Sequence, residues 1–381
     1  MSSLLVIYNV HLVDEELNCN GAILAKNGII AAVLKGDFST KQKVISAISA
    51  RDRNISDSDF SNTGSFIDGK GLTLMPAFID MHVHLRYPGQ TQKEELSTGL
   101  KAAAAGGVGT LIAMPNTNPV VSSINMAKSI EDEAANLGLS KVFQTVSLTK
   151  NFDGSDTSHL DELDVEFTPV ISEDGKDVLD SATMLEAMEK ASKKGIIVSC
   201  HSEDPSLALL AKPYREKALE LMRQYKIPAW GVAGVTDKQS DNSVPQAVNT
   251  EIDTLLTKAN QILAAAEDAA TERNILLAEI AKCHVHIAHV STKNSLDSVR
   301  RAKQRAKIRT QENKTESRAF SVSCEVTPHH LALCGTNAPE IRALVNPPLR
   351  SEEDRLAVIQ ALKDGTADVI STDHAPHTME D

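Results

Sequence analysis

His82 and His84 stand two residues apart at the end of the apolar run Leu74 to His84. Alternate side chains of a strand share a face, so both imidazoles can turn toward one ion. In Ile171-Ser172-Glu173-Asp174-Gly175 the carboxylates sit where an apolar run meets a turn, a place from which one of them can bridge two cations. His201 closes the run Ile196 to His201. The segment Cys283 to Ser291 carries three histidines. Period-2 geometry groups His289 with Val285 and Ile287, read as the inner face, and leaves His284 and His286 to pack under helices. Asp373 follows the run Asp368 to Thr372, with His374 and His377 just behind it. A carboxylate in that position can ligate metal and move protons. Taken singly, Asp-Gly is more often a turn and a lone histidine more often a packed one. Together, His82, His84, His201 and His289 with Asp174 and Asp373 form the donor set of one or two borderline ions such as Zn2+, with two favoured.

These donors need elements that bring strand ends together. Eight short apolar runs serve: Leu74 to His84, Gly109 to Met114, Val142 to Leu148, Phe167 to Ile171, Ile196 to His201, Cys283 to Val290, Phe320 to Val326 and Asp368 to Thr372. Segments of helical periodicity, such as Lys93 to Ala105 and Ala182 to Lys193, alternate with them. The pattern predicts an α/β fold, a (β/α)8 TIM-type barrel over 73–381, whose C-terminal strand ends carry the active site. Residues 1–72, with strand-like Leu4 to Tyr8, Ala22 to Leu24 and Ile29 to Leu34 and a turn at Asn27-Gly28, predict a small β-sandwich-like domain. Arg51 to Ser65 reads as a surface loop. Pro205 to Lys282 reads as a mostly helical excursion with a polar loop at Asp237 to Asn249.

Composition narrows the partners. The chain of 381 residues has 41% hydrophobic and 24% charged residues, which fits a globular protein and excludes long disorder. Its net charge of −12 excludes nucleic acid as a main partner, since the only basic cluster of consequence is Arg300 to Lys314. Aromatic residues make up 3%, leaving few stacking platforms, so the expected partner is a small polar substrate. No apolar run reaches the ~20 residues of a membrane span and no signal peptide is visible, which predicts a cytoplasmic protein without membrane contact. The five cysteines contain no CxxC, so neither a disulfide framework nor a thiolate zinc site is expected. A homodimer is compatible with the sequence.

The motifs resemble those of the amidohydrolase superfamily and, more narrowly, its bacterial-type dihydroorotases. The segments that carry the likeness are Asp80-Met81-His82-Val83-His84-Leu85-Arg86, Met114-Pro115-Asn116, Glu173-Asp174-Gly175, His289-Val290-Ser291-Thr292, Asn346-Pro347-Pro348-Leu349-Arg350 and Thr372-Asp373-His374-Ala375-Pro376-His377. The resemblance implies that His82 and His84 bind a buried zinc, that His201 and His289 bind an outer one, and that Asp174 bridges them. Asp373 would complete the inner site and act as general acid and base. It further implies that Arg86, Asn116 and His377 hold a substrate carboxylate and that Asn346 lies near a pyrimidine ring. A guanidinium fork suits a carboxylate, which agrees with Arg86. The activity implied is reversible cyclisation of N-carbamoyl-L-aspartate to L-dihydroorotate in pyrimidine biosynthesis. Allantoinases, hydantoinases and dihydropyrimidinases generally bridge with a carboxylated lysine, whereas here the nearest lysine, Lys176, follows the glycine. Such a cyclic amidase, or a non-catalytic scaffold, is the alternative. The β domain of such proteins is completed by C-terminal strands, and a chain stopping at Asp381 is expected to lack the last barrel helix.

Overall fold

The computed structural model describes residues 3–51, 60, 64–225, 227, 244–312, 319–335 and 345–378. Most of the expected loops at Arg51 to Ser65 and Asp237 to Asn249, and Lys314 of the basic cluster, lie outside these residues. The chain divides into two compact units, Met1–Ala77 and Phe78–Asp381.

In the first unit β1 (Leu4–Val13) is central. It pairs antiparallel with β2 (Asn18–Lys26), which pairs in turn with β3 (Ile29–Lys35). Asn27 and Gly28 both have positive φ, 53° and 79°, the backbone that a two-residue hairpin between right-twisted strands requires. The other edge of β1 pairs parallel with β4 (Gly64–Asp68) and then with β5 (Thr73–Leu74). Among the described residues these strands form one five-stranded sheet. Helix α1 (Lys41–Arg51), absent from the sequence reading, covers one face by packing Val44 and Ile48 against Leu4, Val6, Leu24 and Leu34. Leu74, expected in the first barrel strand, belongs to this sheet.

The second unit is the barrel. Its strands are β6 (Phe78–Val83), β7 (Val108–Ala113), β8 (Lys141–Gln144) continued by β9 (Val146–Ser147), β10 (Val170–Ser172), β11 (Ile197–Cys200), β12 (His284–Ile287), β13 (Ser321–Val326) and β14 (Val369–Ile370). All pairings are parallel and sequential. The ring closes where Val83 bridges His374, with His84 N–H donating to His374 O (2.8 Å) and Asp373 N–H to His82 O (3.1 Å). Closure therefore sets the last candidate carboxylate beside the first histidine pair.

Helices follow the strands: α2 (Leu96–Ala105), α3 (Ile124–Leu137), α4 (Ser181–Lys194), α5 (Pro205–Gln224), α6 (Gln246–Ala281), α7 (Lys293–Glu312), the short α8 (Pro328–Ala332) and α9 (Glu352–Lys363). Their starts are written locally. Ser123 accepts from Met126 N–H and Asp180 from Thr183 N–H, while Gly138 and Gly195, at φ 64° and 74°, end α3 and α4. Val198, Cys200, Val285, Ile287, Val322 and Cys324 belong to one buried cluster with helix residues such as Met184, Met188, Ala278 and Val299. These strand residues thus face outward, between sheet and helices. The 36 residues of α6, about 54 Å long at 1.5 Å per residue, pack with α5 through Ala218, Met222, Ile252 and Leu256 and reach the barrel with Ile275 and Ala278. Gln246 to Asn249, expected in a loop, already form its first turn.

Basic residues of α7 are matched by acids of this chain: Arg300 with Asp297 and Asp364, Arg301 with Glu272, Lys303 with Asp368, and Arg309 with Glu279. Among the described residues no helix is long and apolar enough to cross a membrane.

Candidate metal centre

The barrel interior gathers His82, His84, Asp174, His201, His289 and Asp373 at its C-terminal strand ends. The Asp174 carboxylate lies at the middle. Its Oδ1 is 3.2 Å from His82 Nε2, 3.5 Å from His201 Nδ1 and 3.7 Å from His289 Nε2, and its Oδ2 is 3.3 Å from His84 Nε2. Asp373 Oδ1 lies 3.2 Å from His84 Nε2 and 3.6 Å from His82 Nε2. A tetrahedral ion with bonds of about 2.0–2.1 Å spreads its ligand atoms about 3.3 Å apart, close to these separations. His82 Nε2 and Asp174 Oδ1 are buried, face each other, and make no hydrogen bond. Two orphaned atoms of this kind are what a cation would satisfy. Two overlapping groups of three, which share His82, have the spacing of a metal site: His82, His84 and Asp373, and His82, Asp174 and His289.

Electrostatics agree. Burial alone would lower the pKa of His82, but Asp174, Glu325 and Asp373 outweigh it and hold the imidazole well above the ordinary histidine range. Burial would likewise raise the carboxyls. Instead the His82 charge, with the His201 and His289 imidazoles close by, keeps Asp174 well below its usual range, and His82 and His84 bring Asp373 to about 2. His201 is raised to about 10 by Asp174 and Glu203 against its burial. This pocket of carboxylates is built to hold positive charge.

Two expectations on β12 are corrected. His286 Nε2 lies 3.2 Å from Glu325 Oε2, and Glu325 in turn meets His82, so His286 faces the interior instead of packing under the helices. Val285 and Ile287 hold the outer face. His289 reaches the cluster because it lies beyond the end of β12 with φ 32°, which breaks the alternation. Arg86 and Asp373 also have positive φ, 55° and 51°. Such backbone costs non-glycine residues about 1–2 kcal/mol each and persists only where surroundings hold it.

The remaining expected residues border the cluster. Asn116 Oδ1 accepts from His84 Nδ1–H at 2.8 Å, which fixes that ring. Asn346 Nδ2 stands 3.3 Å from His201 Nε2, while its Oδ1 is buried without a partner. Arg86 donates from Nε to Pro376 O (3.1 Å), and its Nη2 lies 3.1 Å from His377 Nε2. Lys93 Nζ is 3.5 Å from His377 Nδ1, so three basic side chains meet at one point. Glu173 points elsewhere and accepts from Thr149 N–H at 2.9 Å. Lys176 donates to Phe152 O at 3.2 Å. Beside the cluster opens a cavity of about 690 Å³ whose lining includes Gly175, Glu203, Arg215 and Asn346, a size suited to a small molecule.

Sequence reasoning missed Glu325, Glu203 and His286. Glu325 had a signal: a carboxylate inside a strand covered on both faces is almost never left unpaired. Glu203 Oε2, 3.8 Å from His201 Nε2, had none.

The profile of the amidohydrolase family matches residues 73–380. The chain is 34% identical over 372 residues to a dihydroorotase of Desulforapulum autotrophicum, covering 97% of this chain and 71% of that protein. It is 38% identical over 317 residues to a dihydroorotase of Geobacter metallireducens, covering 83% and 63%, and 34% identical over 364 residues to one of Bacillus subtilis, covering 95% and 72%. Among solved structures, the L-hydantoinase of Arthrobacter aurescens superposes with a TM-score of 0.70 at 19% identity, covering 100% of this chain and 71% of that one. A dihydropyrimidinase from Brevibacillus agri gives 0.66 at 19%, covering 100% and 70%. At that identity the likeness is one of fold.

Proposed function

The chain belongs to the amidohydrolase family, and from that premise we propose that it is a dihydroorotase, interconverting N-carbamoyl-L-aspartate and L-dihydroorotate with two zinc ions. The observation that carries the reading is the meeting of Arg86 and His377, 291 positions apart, beside the buried cluster. With Lys93 they form a cationic corner that a substrate carboxylate would fill. A second observation bears on the rival cyclic amidases: Asp174 meets His84 on one side and His201 and His289 on the other, while Lys176 is engaged by the Phe152 carbonyl.

His82, His84 and Asp373 would hold one ion, and His201 and His289 the other, with Asp174 between them. Bound there, zinc lowers the pKa of water toward neutrality and polarises an amide carbonyl. Three carboxylates, Asp174, Asp373 and Glu325, pair with imidazoles in this pocket, more negative charge than one divalent ion neutralises, which favours two. Among the cluster's own carboxylates Asp373 has the more open side chain, 12% exposed against 4% for Asp174. In hydrolysis Asp373 takes the proton of the attacking water and returns it to the ring nitrogen as the C–N bond breaks. In ring closure it takes the proton from that nitrogen and delivers it to the departing oxygen. Arg86 and His377 fix the carboxylate so that the ring amide faces the cluster, and the free Asn346 Oδ1 can accept a ring N–H. Cys19, Cys200, Cys283, Cys324 and Cys334 form no disulfide, which fits a reducing cytoplasm.

The test is zinc content per chain together with carbamoyl aspartate release from dihydroorotate, run beside dihydrouracil, which lacks the carboxylate. Zinc with turnover confined to dihydroorotate is expected. Equal turnover of dihydrouracil would support a dihydropyrimidinase instead, and a chain without zinc or turnover would support the scaffold.

A further inference from the structure

Glu325 lies at the C-terminal end of β13, in a strand that contributes none of the six donors above. Its side chain is 1% exposed, yet both oxygens are engaged. Oε1 accepts from His82 Nδ1–H at 2.6 Å and from the backbone N–H of His289 at 3.2 Å. Oε2 accepts from His286 Nε2–H at 3.2 Å. One carboxylate therefore grips a side chain of β6 and the backbone just beyond β12, tying two donor-bearing segments together.

With His284 and His286 neutral, one proton order satisfies every member of this chain. An ionised carboxylate only accepts, so one His82 proton sits on Nδ1, and Nε2 is the nitrogen left to the cluster, a lone pair once a cation takes the place of its proton. His286, donating from Nε2, must accept at Nδ1, where Ser323 Oγ lies at 2.8 Å. Ser323 then accepts from His284 Nε2–H at 2.9 Å. Each donor meets one acceptor from His284 to His82, and at the inner end the order leaves His82 Nε2, which is buried and unpartnered. Asn116 does the same for His84 from the other side, through one neutral bond. Glu325 adds charge and reaches two segments.

We infer that Glu325 is a positioning residue of the metal centre: it sets the His82 tautomer and ring plane and holds the His289 turn, so that metal affinity depends on it although it is not a ligand. The inference rests on the cluster being a metal site. Outer partners of ligating histidines commonly govern affinity by about 10- to 100-fold.

Zinc affinity of the full chain would be measured by competition with a chromophoric chelator for the wild type, E325Q and E325A, with far-UV circular dichroism and the Tm of each metal-free protein alongside. E325Q keeps an acceptor for His82 Nδ1–H but no charge, and about 10-fold weaker binding is expected; E325A leaves no acceptor, and about 100-fold is expected. A downfield imidazole proton resonance from His82 Nδ1–H in the zinc-loaded wild type should move in E325Q, a change that a merely space-filling role would not produce. Wild-type affinity in either variant would overturn the inference while leaving the metal site standing. A wild type that binds no zinc would overturn both.

Discussion

Glu267, on α6, reaches across to the turn after β12 that presents His289, and its removal has a magnitude that can be worked out. Its Oε1 accepts from the backbone N–H groups of Ser291 (2.9 Å) and Thr292 (3.0 Å), and its Oε2 from the Ser291 hydroxyl and from Arg350 Nη2 (3.1 Å). Arg350 also donates to Ser291 Oγ (2.9 Å) and to the Asn260 and Leu263 carbonyls (3.3 Å each). The two charged side chains are 5% and 4% exposed, so screening is slight. In Glu267→Ala a buried guanidinium loses its counter-ion, a loss of about 3–5 kcal/mol. Two backbone N–H groups also lose their acceptor, at about 1–3 kcal/mol each if dry. Water entering the space left behind offsets part, giving about 4–6 kcal/mol. At roughly 2 °C per kcal/mol for a unit of this size, Tm should fall by about 8–12 °C. Glu267→Gln keeps one acceptor and should lose about half of that. Calorimetry on both variants, with Arg350→Met completing a cycle on Glu267→Gln, measures the coupling, expected at about 1.5 kcal/mol or more. A Glu267→Ala protein within about 2 °C of wild type, or zero coupling, would refute the reasoning.

Other expectations follow from the same geometry. Asp373→Asn should lower kcat at least about 100-fold with circular dichroism unchanged; near-normal turnover would remove the proton-transfer role. Arg86→Met should weaken substrate binding by roughly 10- to 100-fold, read as a rise in KM for dihydroorotate, because a charge-assisted fork contributes about 1.5–3 kcal/mol; unchanged KM and kcat would exclude Arg86 from the site. Burial pushes the Cys283 and Cys324 thiols up to about 12 and Cys200 well above its usual range, whereas Cys19 is partly exposed. At pH 8 only about 1 in 10,000 of the Cys283 and Cys324 sulfurs would be thiolate, a fraction rising tenfold per pH unit. Alkylation of the folded protein followed by intact mass should therefore show one rapid adduct, at Cys19, and rapid labelling of Cys283 or Cys324 would contradict their placement.

The sequence by itself determined the barrel and the chemical nature of its centre. Alternating apolar strands and amphipathic helices require parallel βα units, and the candidate donors His82, His84, Asp174, His201, His289 and Asp373 could be named because a polar residue ending an apolar strand has one place to go in such a fold. The turn at Asn27-Gly28 was equally local. Tertiary structure decided the rest. Period-2 geometry says which side chains of β12 share a face, but that strand is buried on both sides, so hydrophobicity does not say which face is inner. The packing of Val285 and Ile287 against the helices turned His286 inward, and a left-handed turn beyond the strand brought His289 in with it. Glu325 on His82, 243 positions away, and His377 on Arg86, 291 positions away, depend on how the strands register and how β14 meets β6. Local sequence fixes the direction of a side chain relative to its own strand; only ring closure fixes which distant side chain waits there.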